Sequence, residues 1–446
     1  MKATFLTAGT GSYHCGACMR DNALAVALHR SGHEVALLPM YLPMTLDEEG
    51  LPQGREVPVF FGGINVFLQQ KTALFRHTPG WLDRLFNNAG LLRFAARRSH
   101  LTSAREQGVM TLEMLRVESG RLTKELGKLL AWLEHHEKPD LICLSNALLA
   151  GLTRELKARL GVPVLVFFQG EDTFLDHLPA PYRERCWDEL RARIPEADAL
   201  VSPSRFYALL MAERLGLSDE AIEVLPNGID FEGYLPKASE THGPPVIGFF
   251  ARMIREKGLH LLVDAFLELH RDKRHEGCRL HIGGACTKGD QPGVEALQRK
   301  LAEAGLDGNV RWAMNVTREE KARFLRDLTI FSVPAVYPEA FGLYVIEAMA
   351  AGAPVVQPRA SSFPELIEDT GGGVLVAPGD ASALADAWSG LLADRDRLRV
   401  LGERGRRGAR ERYSVEAMKE GFVALAEAVI AGRRRPAMHA RREAAS

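Results

Sequence analysis

The pattern that most constrains the fold is an alternation of short apolar runs with segments of helical periodicity, which occurs twice along the chain. The runs of the first series lie at 3–8, 34–38, 140–144, 164–168, 199–201 and 222–225. Those of the second series lie at 246–250, 280–282, 310–312, 330–333, 355–356 and 373–376. Strands that alternate with helices form parallel, doubly wound sheets. The sequence therefore predicts an α/β protein with two Rossmann-like domains.

The length of the chain and a polar segment between the two series predict where the domains divide. A chain of 446 residues is too long for one ordinary hydrophobic core and suits two domains of about 200 residues each. The segment 237–245 is polar and contains Gly and Pro, as linkers do. We therefore expect an N-terminal domain over 1–235 and a C-terminal domain over 236–414.

Two helices and a basic tail are predicted after the second series. Helical periodicity covers 398–412 and 415–430, and the last helix, at about 415–432, can pack back on the first domain. Residues 433–446 contain five arginines and one glutamate without apolar periodicity. Such a composition predicts a disordered tail.

The composition is that of a soluble globular protein and favours no polyanionic partner. Apolar residues make up 46% of the chain, charged residues 25%, and the formal net charge is −1, so no global charge favours nucleic acid. Six cysteines are too few for a disulfide framework in a chain of this size. The sequence has no basic-then-apolar leader and no apolar run of the roughly 18 residues needed to cross a bilayer. We expect a cytoplasmic protein with reduced thiols that does not bind nucleic acid.

The segment 66–117 breaks the alternation because apolar and aromatic residues are interleaved with arginines. Trp81 and Phe86, for example, stand beside Arg84 and before Arg97. One interpretation is a surface that touches an anionic membrane or shapes an acceptor groove. The other is an ordinary helical excursion whose apolar face packs on the sheet while the arginines stay hydrated.

A short stretch, 338–349, places two carboxylates, a glycine and a helix start within a dozen residues. Glu339 lies in the predicted loop between the strand 330–333 and a helix that begins near Gly342, and Glu347 falls about one turn into that helix. Unpaired backbone N–H groups at a helix start bind anions. An anionic ligand can therefore lie between the two acids. The alternative is that Glu339 caps the helix and Glu347 is a hydrated surface residue.

Two cations follow the first strand of the second series. Arg252 leaves the carboxyl end of the strand 246–250, and Lys257 precedes the next helix. Open α/β sheets bind ligands in the crevice at the carboxyl ends of their strands. If both cations face the helix start near Gly342, they can neutralise a diphosphate. Cations, an anion site and hydroxyl-binding carboxylates are the parts needed to bind a nucleotide sugar.

Taken together, these motifs resemble the family-four retaining glycosyltransferases of the GT-B fold, in which two Rossmann-like domains face each other across a cleft. The resemblance covers nearly the whole chain and implies that 1–235 is the acceptor-side domain and 236–414 the nucleotide-sugar-binding domain. It is carried by Gly9-Thr10-Gly11, Gly32-His33-Glu34-Val35, Pro226-Asn227-Gly228-Ile229-Asp230, Arg252 with Glu256-Lys257-Gly258, Glu339 and Glu347 around Phe341-Gly342-Leu343, Ala351-Gly352-Ala353-Pro354-Val355-Val356, and Pro364-Glu365-Leu366. The paired glutamates with the Arg and the Lys are its most specific part.

The resemblance implies a role for each charged residue of the site. In such enzymes the cations that match Arg252 and Lys257 hold the donor diphosphate and stabilise the leaving group, in place of a metal ion. The acid that matches Glu339 contacts hydroxyls of the donor sugar, and the acid that matches Glu347 binds the ribose hydroxyls. No carboxylate nucleophile is firmly assigned in this class, so we do not expect Glu339 to be one.

The resemblance also implies the rest of the substrate site and the reaction. Amides of Gly342, Leu343 and Tyr344, beside Phe341, would complete the phosphate cradle, and the glycine loop after the first strand would contribute Gly11. The implied reaction moves a sugar from a nucleotide-diphosphate donor to a glycan, a lipid-linked acceptor or a small molecule, without a cofactor or a metal. Peripheral contact with the cytoplasmic face of a membrane stays open.

One position departs from the family pattern. After the strand 164–168, where many relatives carry a histidine that meets the donor sugar, this chain has Gln169. Gln169 can donate and accept hydrogen bonds but cannot carry a proton. A backbone carbonyl, Glu171 or Asp172 can take over the polar role. Alternatively, the two acids only cap a helix at 173–178.

A Cys-x-x-Cys pair beside a histidine near the N-terminus invites a zinc or a redox interpretation. The residues are His14, Cys15 and Cys18. A structural zinc needs four ligands, and no second close pair of Cys or His accompanies them. We favour a loop-to-helix start at which Arg20 or Asp21 faces the acceptor side of the cleft.

Other functional classes remain as alternatives. Gly9, Gly11 and Gly16 do not follow the G-x-G-x-x-G pattern of dinucleotide oxidoreductases. A nucleotide-sugar epimerase on the same fold would consume donor without an acceptor, and a glycoside phosphorylase would need pyridoxal phosphate. A non-catalytic sugar-nucleotide binding protein is the third alternative, against which the complete set of two cations and two glutamates argues.

Overall fold

A computed structural model describes residues 1–9, 16–42, 50–52, 58–62, 103–236 and 243–433. Gly11, His14 and Cys15 lie outside the described residues, as do most of the 66–117 segment and the tail beyond residue 433. The contacts divide the chain into two units, Met1–Leu225 with Met418–Ser446, and Pro226–Ala417.

The first unit is built on a six-stranded parallel sheet in the order β2-β1-β3-β4-β5-β6. Its strands are β1 (Lys2–Thr7), β2 (Glu34–Pro39), β3 (Leu141–Leu144), β4 (Val164–Phe167), β5 (Ala199–Ser202) and β6 (Glu223–Val224). Its helices include α1 (Gly16–Arg30), α2 (Ala104–Leu115), α3 (Thr123–Trp132), α4 (Thr153–Leu160), α5 (Glu171–Asp176), α6 (Tyr182–Arg193) and α7 (Arg205–Leu215). Every residue of β3, β4 and β5 is buried, as expected for parallel strands covered on both faces.

The second unit repeats the architecture with a six-stranded parallel sheet in the order β12-β11-β10-β7-β8-β9. Its strands are β7 (Val246–Phe250), β8 (Arg279–Gly284), β9 (Val310–Met314), β10 (Ile330–Phe331), β11 (Val355–Pro358) and β12 (Gly373–Val376). Its helices include α8 (Leu259–Leu269), α9 (Gln291–Glu303), α10 (Arg318–Arg326), α11 (Leu343–Ala350), α12 (Phe363–Thr370), α13 (Ala381–Leu392) and α14 (Arg395–Arg412). The prediction of two Rossmann-like α/β domains is confirmed, and each predicted apolar run contains a strand.

The strand β10 is shorter than the apolar run that predicted it. The run 330–333 forms a two-residue strand, Ile330–Phe331. The amide of Val333 donates to the side chain of Gln357 in β11, at 3.2 Å, rather than to the backbone of a neighbouring strand. The chain then turns at Pro334, so the segment that carries Glu339 leaves the sheet early.

The last helix, α15 (Val415–Ile430), packs on the sheet of the first unit. The ring of Phe422 lies 5.6 Å from that of Phe5 in β1 and 6.5 Å from that of Phe167 in β4, measured between centroids. The chain therefore contributes to the first unit at both ends, whereas α14 belongs to the second.

The Pro226-Asn227-Gly228 motif allows two segments of the second unit to run side by side. Ile229 donates its amide to the carbonyl of Tyr413 at 3.0 Å, and Val415 donates to the carbonyl of Ile229 at 2.9 Å. A Cβ at Gly228 would lie 2.3 Å from the carbonyl oxygen of Ser414. Only glycine fits this close backbone approach.

Phe422→Ala tests the attachment of the last helix. Phe422 is fully buried, and a Phe→Ala change in a core costs about 3–5 kcal/mol. We expect the free energy of unfolding of the first unit to fall by this amount. Urea unfolding, monitored by hydrogen exchange of the backbone amides in β1 and β4, measures it. Phe422→Leu, which keeps most of the volume, should cost clearly less. Equal and small effects of both variants would mean that α15 does not stabilise the first unit.

Candidate active site

Two loops of the second unit are held side by side and carry the predicted charged residues. The amide of Val336 donates to the carbonyl of Glu256 at 2.8 Å. Gly258, which follows Lys257, has φ of +74°, and a Cβ there would lie 1.8 Å from the carbonyl oxygen of Pro334. A residue other than glycine would be strained by this φ and would push the loops apart. The local backbone thus brings Lys257 next to Glu339.

One carboxylate oxygen of Glu339 accepts all the hydrogen bonds that described residues donate to its side chain. Its Oε2 accepts from the hydroxyl of Tyr337 at 2.8 Å, from the hydroxyl of Tyr344 at 2.7 Å and from Nζ of Lys257. Lys257 also donates to the hydroxyl of Tyr337 at 2.5 Å. Its Nζ lies 4.8 Å from the ring centroids of both tyrosines, close enough for cation–π attraction. Lys257 and Glu339 thus form a largely buried ion pair between two aromatic rings.

Charge and hydrogen bonding keep Glu339 ionised despite its burial. Burial by itself would raise the pKa of Glu339, but the charge of Lys257 and the hydrogen bonds from Lys257, Tyr344 and Tyr337 lower it below its ordinary value. Burial raises the pKa of Tyr344 well above its usual range, and the charge of Glu339 raises it further. Tyr344 therefore remains a neutral donor beside an ionised acceptor.

Glu347 has a similar environment one turn along α11. Its Oε1 accepts from the hydroxyl of Tyr234 at 3.2 Å and from Nζ of Lys321, which lies on α10. Nζ of Lys321 also lies 5.6 Å from the ring centroid of Phe250, at the end of β7. Glu347 is buried, so it is not the hydrated surface residue of the alternative interpretation.

Both glutamates leave one carboxylate oxygen without a partner in the described part of the chain. In each case a lysine and at least one tyrosine bond the same oxygen, Oε2 of Glu339 or Oε1 of Glu347. The remaining oxygen of each is not among the fully buried polar atoms that lack a partner. A carboxylate fixed through one oxygen presents the other as an oriented acceptor, which is suited to a ligand hydroxyl.

The start of α11 also offers unpaired donors. Gly342 is the N-cap with φ of +86°, and no side chain caps the helix, so Glu339 is not a cap. Within the described residues, the amides of Gly342, Leu343 and Tyr344 donate to no protein acceptor. The preceding turn is fixed because Ser362 donates its hydroxyl to the carbonyl of Phe341 at 2.7 Å. The helix start can therefore accept an anion.

Arg252 follows β7 and has an exposed side chain. In the part of the chain that the structure describes, its guanidinium makes no hydrogen bond or ion pair. A guanidinium carries five N–H donors in a fixed fork. It thus keeps its full capacity for an anionic ligand.

Gln169 and Glu171 belong to the first unit, where Glu171 has a structural role. Its Oε1 accepts from the amide of Ala147 at 2.9 Å, and its Oε2 accepts from the amide of Gln169 at 2.8 Å. Asp172 accepts from the hydroxyl of Tyr207 at 2.7 Å. The helix α5 begins after Gly170 without a side-chain cap. The two acids therefore do not cap that helix. Glu171 is bonded through both carboxylate oxygens and joins the ends of β3 and β4, whereas Asp172 is bonded through Oδ1 and holds α7.

The expectation that Arg20 or Asp21 faces the acceptor side of the cleft is wrong. Arg20 is 2% exposed and Asp21 is 0% exposed. They pair at 2.9 Å, and the guanidinium lies 4.1 Å from the ring centroid of Phe167. Burial of α1 against the sheet forces the two charges to pair with each other. Cys18 is also buried, and among the described residues no group of His, Cys, Asp and Glu could hold a metal ion.

Three residues of the site were not predicted from the sequence. Tyr337 alternates with Glu339 along an extended loop, and this spacing of two was a usable signal that their side chains share a side. Tyr234 and Lys321 are distant in sequence from Glu347, and no sequence motif around them points to it.

No helix in the described ranges is long and apolar enough to cross a membrane.

Two family descriptions match the two halves of the chain. "Glycosyl transferases group 1" matches residues 231–408, which hold the Lys257, Glu339 and Glu347 cluster, and "Glycosyl transferase 4-like domain" matches residues 20–228. The chain belongs to the family-four glycosyltransferases. Its GT-B fold and its Rossmann-like units are those of the family.

Curated relatives match part of the chain. The D-inositol 3-phosphate glycosyltransferase of Nocardia farcinica is 31% identical over 47% of this chain and 48% of that protein. The GDP-mannose-dependent alpha-(1-6)-phosphatidylinositol monomannoside mannosyltransferase of Mycolicibacterium smegmatis is 28% identical over 49% of this chain and 59% of that protein. The chain thus spans about half the length of these relatives.

Solved structures match nearly the whole chain. Sucrose-phosphate synthase from Thermosynechococcus elongatus aligns with a TM-score of 0.71 at 19% identity, over 97% of this chain and 100% of that one. Anabaena HepE in complex with UDP-glucose aligns with a TM-score of 0.63 at 17% identity, over 96% of this chain and 100% of that one. At these identities the likeness shows the fold.

The depressed pKa of Glu339 predicts a pH-dependent contribution to stability. Because the folded pKa lies below the ordinary value of 4.5, the ionised group stabilises the fold above that pH, and the contribution is lost as pH falls through the folded pKa. The unfolding free energies of the wild type and of Glu339→Gln should differ most at neutral pH and converge as pH falls below 4.5 and through the folded pKa.

Urea unfolding at several pH values measures this difference. Glu276→Gln, at an exposed position of the same unit, is the matched control and should differ little from the wild type at any pH. A Glu339→Gln difference that stays constant from neutral to acid pH would contradict the role of the charge.

Proposed function

We propose that the chain is a retaining, metal-independent glycosyltransferase that moves a hexosyl group from a nucleoside-diphosphate sugar to an acceptor hydroxyl. The carrying observation is that Glu339 and Glu347 each expose one oriented carboxylate oxygen in the unit that also holds Lys257, Arg252 and an uncapped helix start. Such a set matches the hydroxyls and the charge of a nucleotide sugar. Family membership and the UDP-glucose bound by HepE support the donor class.

The two cations act on the leaving group in this proposal. Lys257 has three N–H donors, of which two go to Glu339 and Tyr337, so the third is available for a phosphate oxygen. Arg252 supplies an unpaired guanidinium, and the amides at Gly342 and Leu343 supply neutral donors. Charge that develops on the departing diphosphate is stabilised by these fixed donors, which makes a bound metal ion unnecessary.

The two glutamates hold the donor on either side of its diphosphate. Glu339 accepts from a hydroxyl of the transferred sugar, and Glu347 accepts from the ribose hydroxyls. The bond from the sugar C1 to the phosphate oxygen breaks with its electron pair on the phosphate, the acceptor oxygen bonds to C1 on the same face, and the hydroxyl proton passes to the departing phosphate. Glu339 is a stabiliser rather than a nucleophile, because its charge is already committed to Lys257.

Loss of either cation should reduce transfer strongly. We expect Arg252→Ala and Lys257→Ala to lower the transfer rate by about 10²–10³-fold, as removal of one transition-state donor does elsewhere. Release of nucleoside diphosphate from UDP-, GDP- and ADP-sugars, with a mixture of acceptors, measures it. Because the Arg252 side chain is exposed, its loss should leave the melting temperature unchanged.

Arg271→Ala and Lys273→Ala are the matched controls, since both positions are exposed beyond the end of α8. Both controls should retain normal turnover. Near-normal turnover of Arg252→Ala and Lys257→Ala would refute the assigned site. Donor consumption at the same rate with and without acceptor would favour an epimerase or a hydrolase instead.

The ribose role of Glu347 predicts weaker nucleotide binding in Glu347→Gln. A hydrogen bond to a charged group contributes about 1.5–3 kcal/mol, so affinity for a nucleoside diphosphate should fall by at least about tenfold. Calorimetry should use whichever of UDP, GDP and ADP raises the melting temperature most. The matching 2′-deoxynucleotide should bind the wild type more weakly than the nucleotide does. Its affinity should fall little further in Glu347→Gln. If the losses of affinity from the 2′-deoxy change and from Glu347→Gln simply add, a direct contact between Glu347 and the ribose is contradicted.

A further inference from the structure

The first unit contains a pocket at the carboxyl edge of its sheet, with a cavity volume of about 230 Å³ that is partly open to solvent. Ala8, Tyr41 and Asn146 line it and follow β1, β2 and β3 respectively. In the sheet, β1 lies between β2 and β3, so the order of the strands reverses at this point. Ligands of open α/β sheets bind at such switch points.

The wall of the pocket is mostly apolar. It is formed by Met110 and Met114 of α2, by Leu122 and Leu148, and by Phe174 of α5. Phe174 is 37% exposed and is one of the large apolar side chains that the described residues leave exposed. Methionine side chains adapt to different apolar shapes. A mostly apolar lining with a few polar groups is typical of a small-molecule site.

The hydroxyl of Tyr41 and the side-chain amide of Gln107 line the pocket and make no hydrogen bond within the described part of the chain. The side-chain amide of Asn146 also lines it, and its Oδ1 accepts from the amide of Leu148 at 3.0 Å. That bond orients Asn146 and leaves its NH2 group as a donor. Burial raises the pKa of Tyr41, which keeps its hydroxyl neutral.

The described lining residues include no lysine, arginine, histidine, aspartate or glutamate. A phosphate or a carboxylate would therefore find no counter-charge there, and its desolvation would be costly. Neutral hydroxyl or carbonyl groups, by contrast, can pair with Tyr41, Gln107 and Asn146.

We infer that this pocket binds an uncharged molecule that combines an apolar body, such as an aryl group or a short alkyl chain, with one or more hydroxyl groups. The apolar body contacts Met110, Leu148 and Phe174, and the hydroxyl groups pair with Tyr41 and Asn146. The inference rests on the proposed function in one respect: for a glycosyltransferase, this molecule would be the acceptor. Binding itself does not depend on the donor site.

Calorimetry on the full chain with three probes tests the inference. They are phenyl β-D-glucopyranoside, methyl β-D-glucopyranoside and phenyl phosphate. Burial of the phenyl ring should make the phenyl glucoside bind at least about tenfold more tightly than the methyl glucoside. Phenyl phosphate should bind more weakly than the phenyl glucoside. Equal binding of the two glucosides, tighter binding of phenyl phosphate, or no binding at all, as expected if part of the chain itself fills the pocket, would overturn the inference.

Matched variants locate the binding. Leu148→Ala and Tyr41→Phe should each weaken the phenyl glucoside by about three- to tenfold. Leu209→Ala removes the same atoms as Leu148→Ala from an exposed position on α7 outside the pocket and should have no effect. An effect of Leu209→Ala equal to that of Leu148→Ala would also overturn the inference.

Nucleoside diphosphate binding, measured on the same preparations, separates this inference from the proposed function. Nucleotide binding without phenyl glucoside binding refutes the pocket and leaves the donor site standing. Phenyl glucoside binding that Leu148→Ala weakens, without nucleotide binding, supports the pocket and refutes the proposed donor site.

Discussion

The ion pair between Lys257 and Glu339 is the interaction on which the candidate site depends. A largely buried pair stabilises a fold only if its geometry is good and its remaining hydrogen bonds are made, and here Tyr337 and Tyr344 make them. The pair also requires that two loops touch, which Gly258 permits and the bond from Val336 to Glu256 enforces. The backbone and the side chains thus fix one carboxylate oxygen and orient the other.

Helix α11 connects this pair to a second one of the same kind. Tyr344 and Glu347 are three residues apart, so they lie on one face of the helix. Tyr344 bonds Glu339, whereas Glu347 bonds Lys321 and Tyr234. One short helix therefore sets the relative positions of two carboxylates, and the same helix presents its unpaired amides at Gly342 and Leu343. The proposed ligand, with a central anion and hydroxyls at both ends, matches this arrangement.

The sequence predicted the fold because parallel strands buried on both faces are continuous apolar runs, which were visible at β3 to β5 and at β7. It also indicated Arg252, Lys257, Glu339 and Glu347, since each lies next to a strand end or a helix start. It did not indicate that Lys321 pairs with Glu347, because α10 is a charged helix on which one lysine looks like its neighbours. The burial of Arg20 was missed for a similar reason: a charged residue in an amphipathic helix is expected outside, and only tertiary packing placed it against Phe167.

The two units use their polar groups differently, and this difference bears on function. In the first unit, Glu171 and Asp172 accept hydrogen bonds within the unit, Asp21 forms an ion pair with Arg20, and the described lining of the pocket at the switch point of the sheet is neutral. In the second unit, Glu339, Glu347 and Arg252 keep acceptors or donors available. Recognition by charge is therefore concentrated in the second unit. Under the proposal made for this pocket, its described lining selects shape, apolar surface and neutral hydroxyls, and a charged acceptor would need residues beyond that lining.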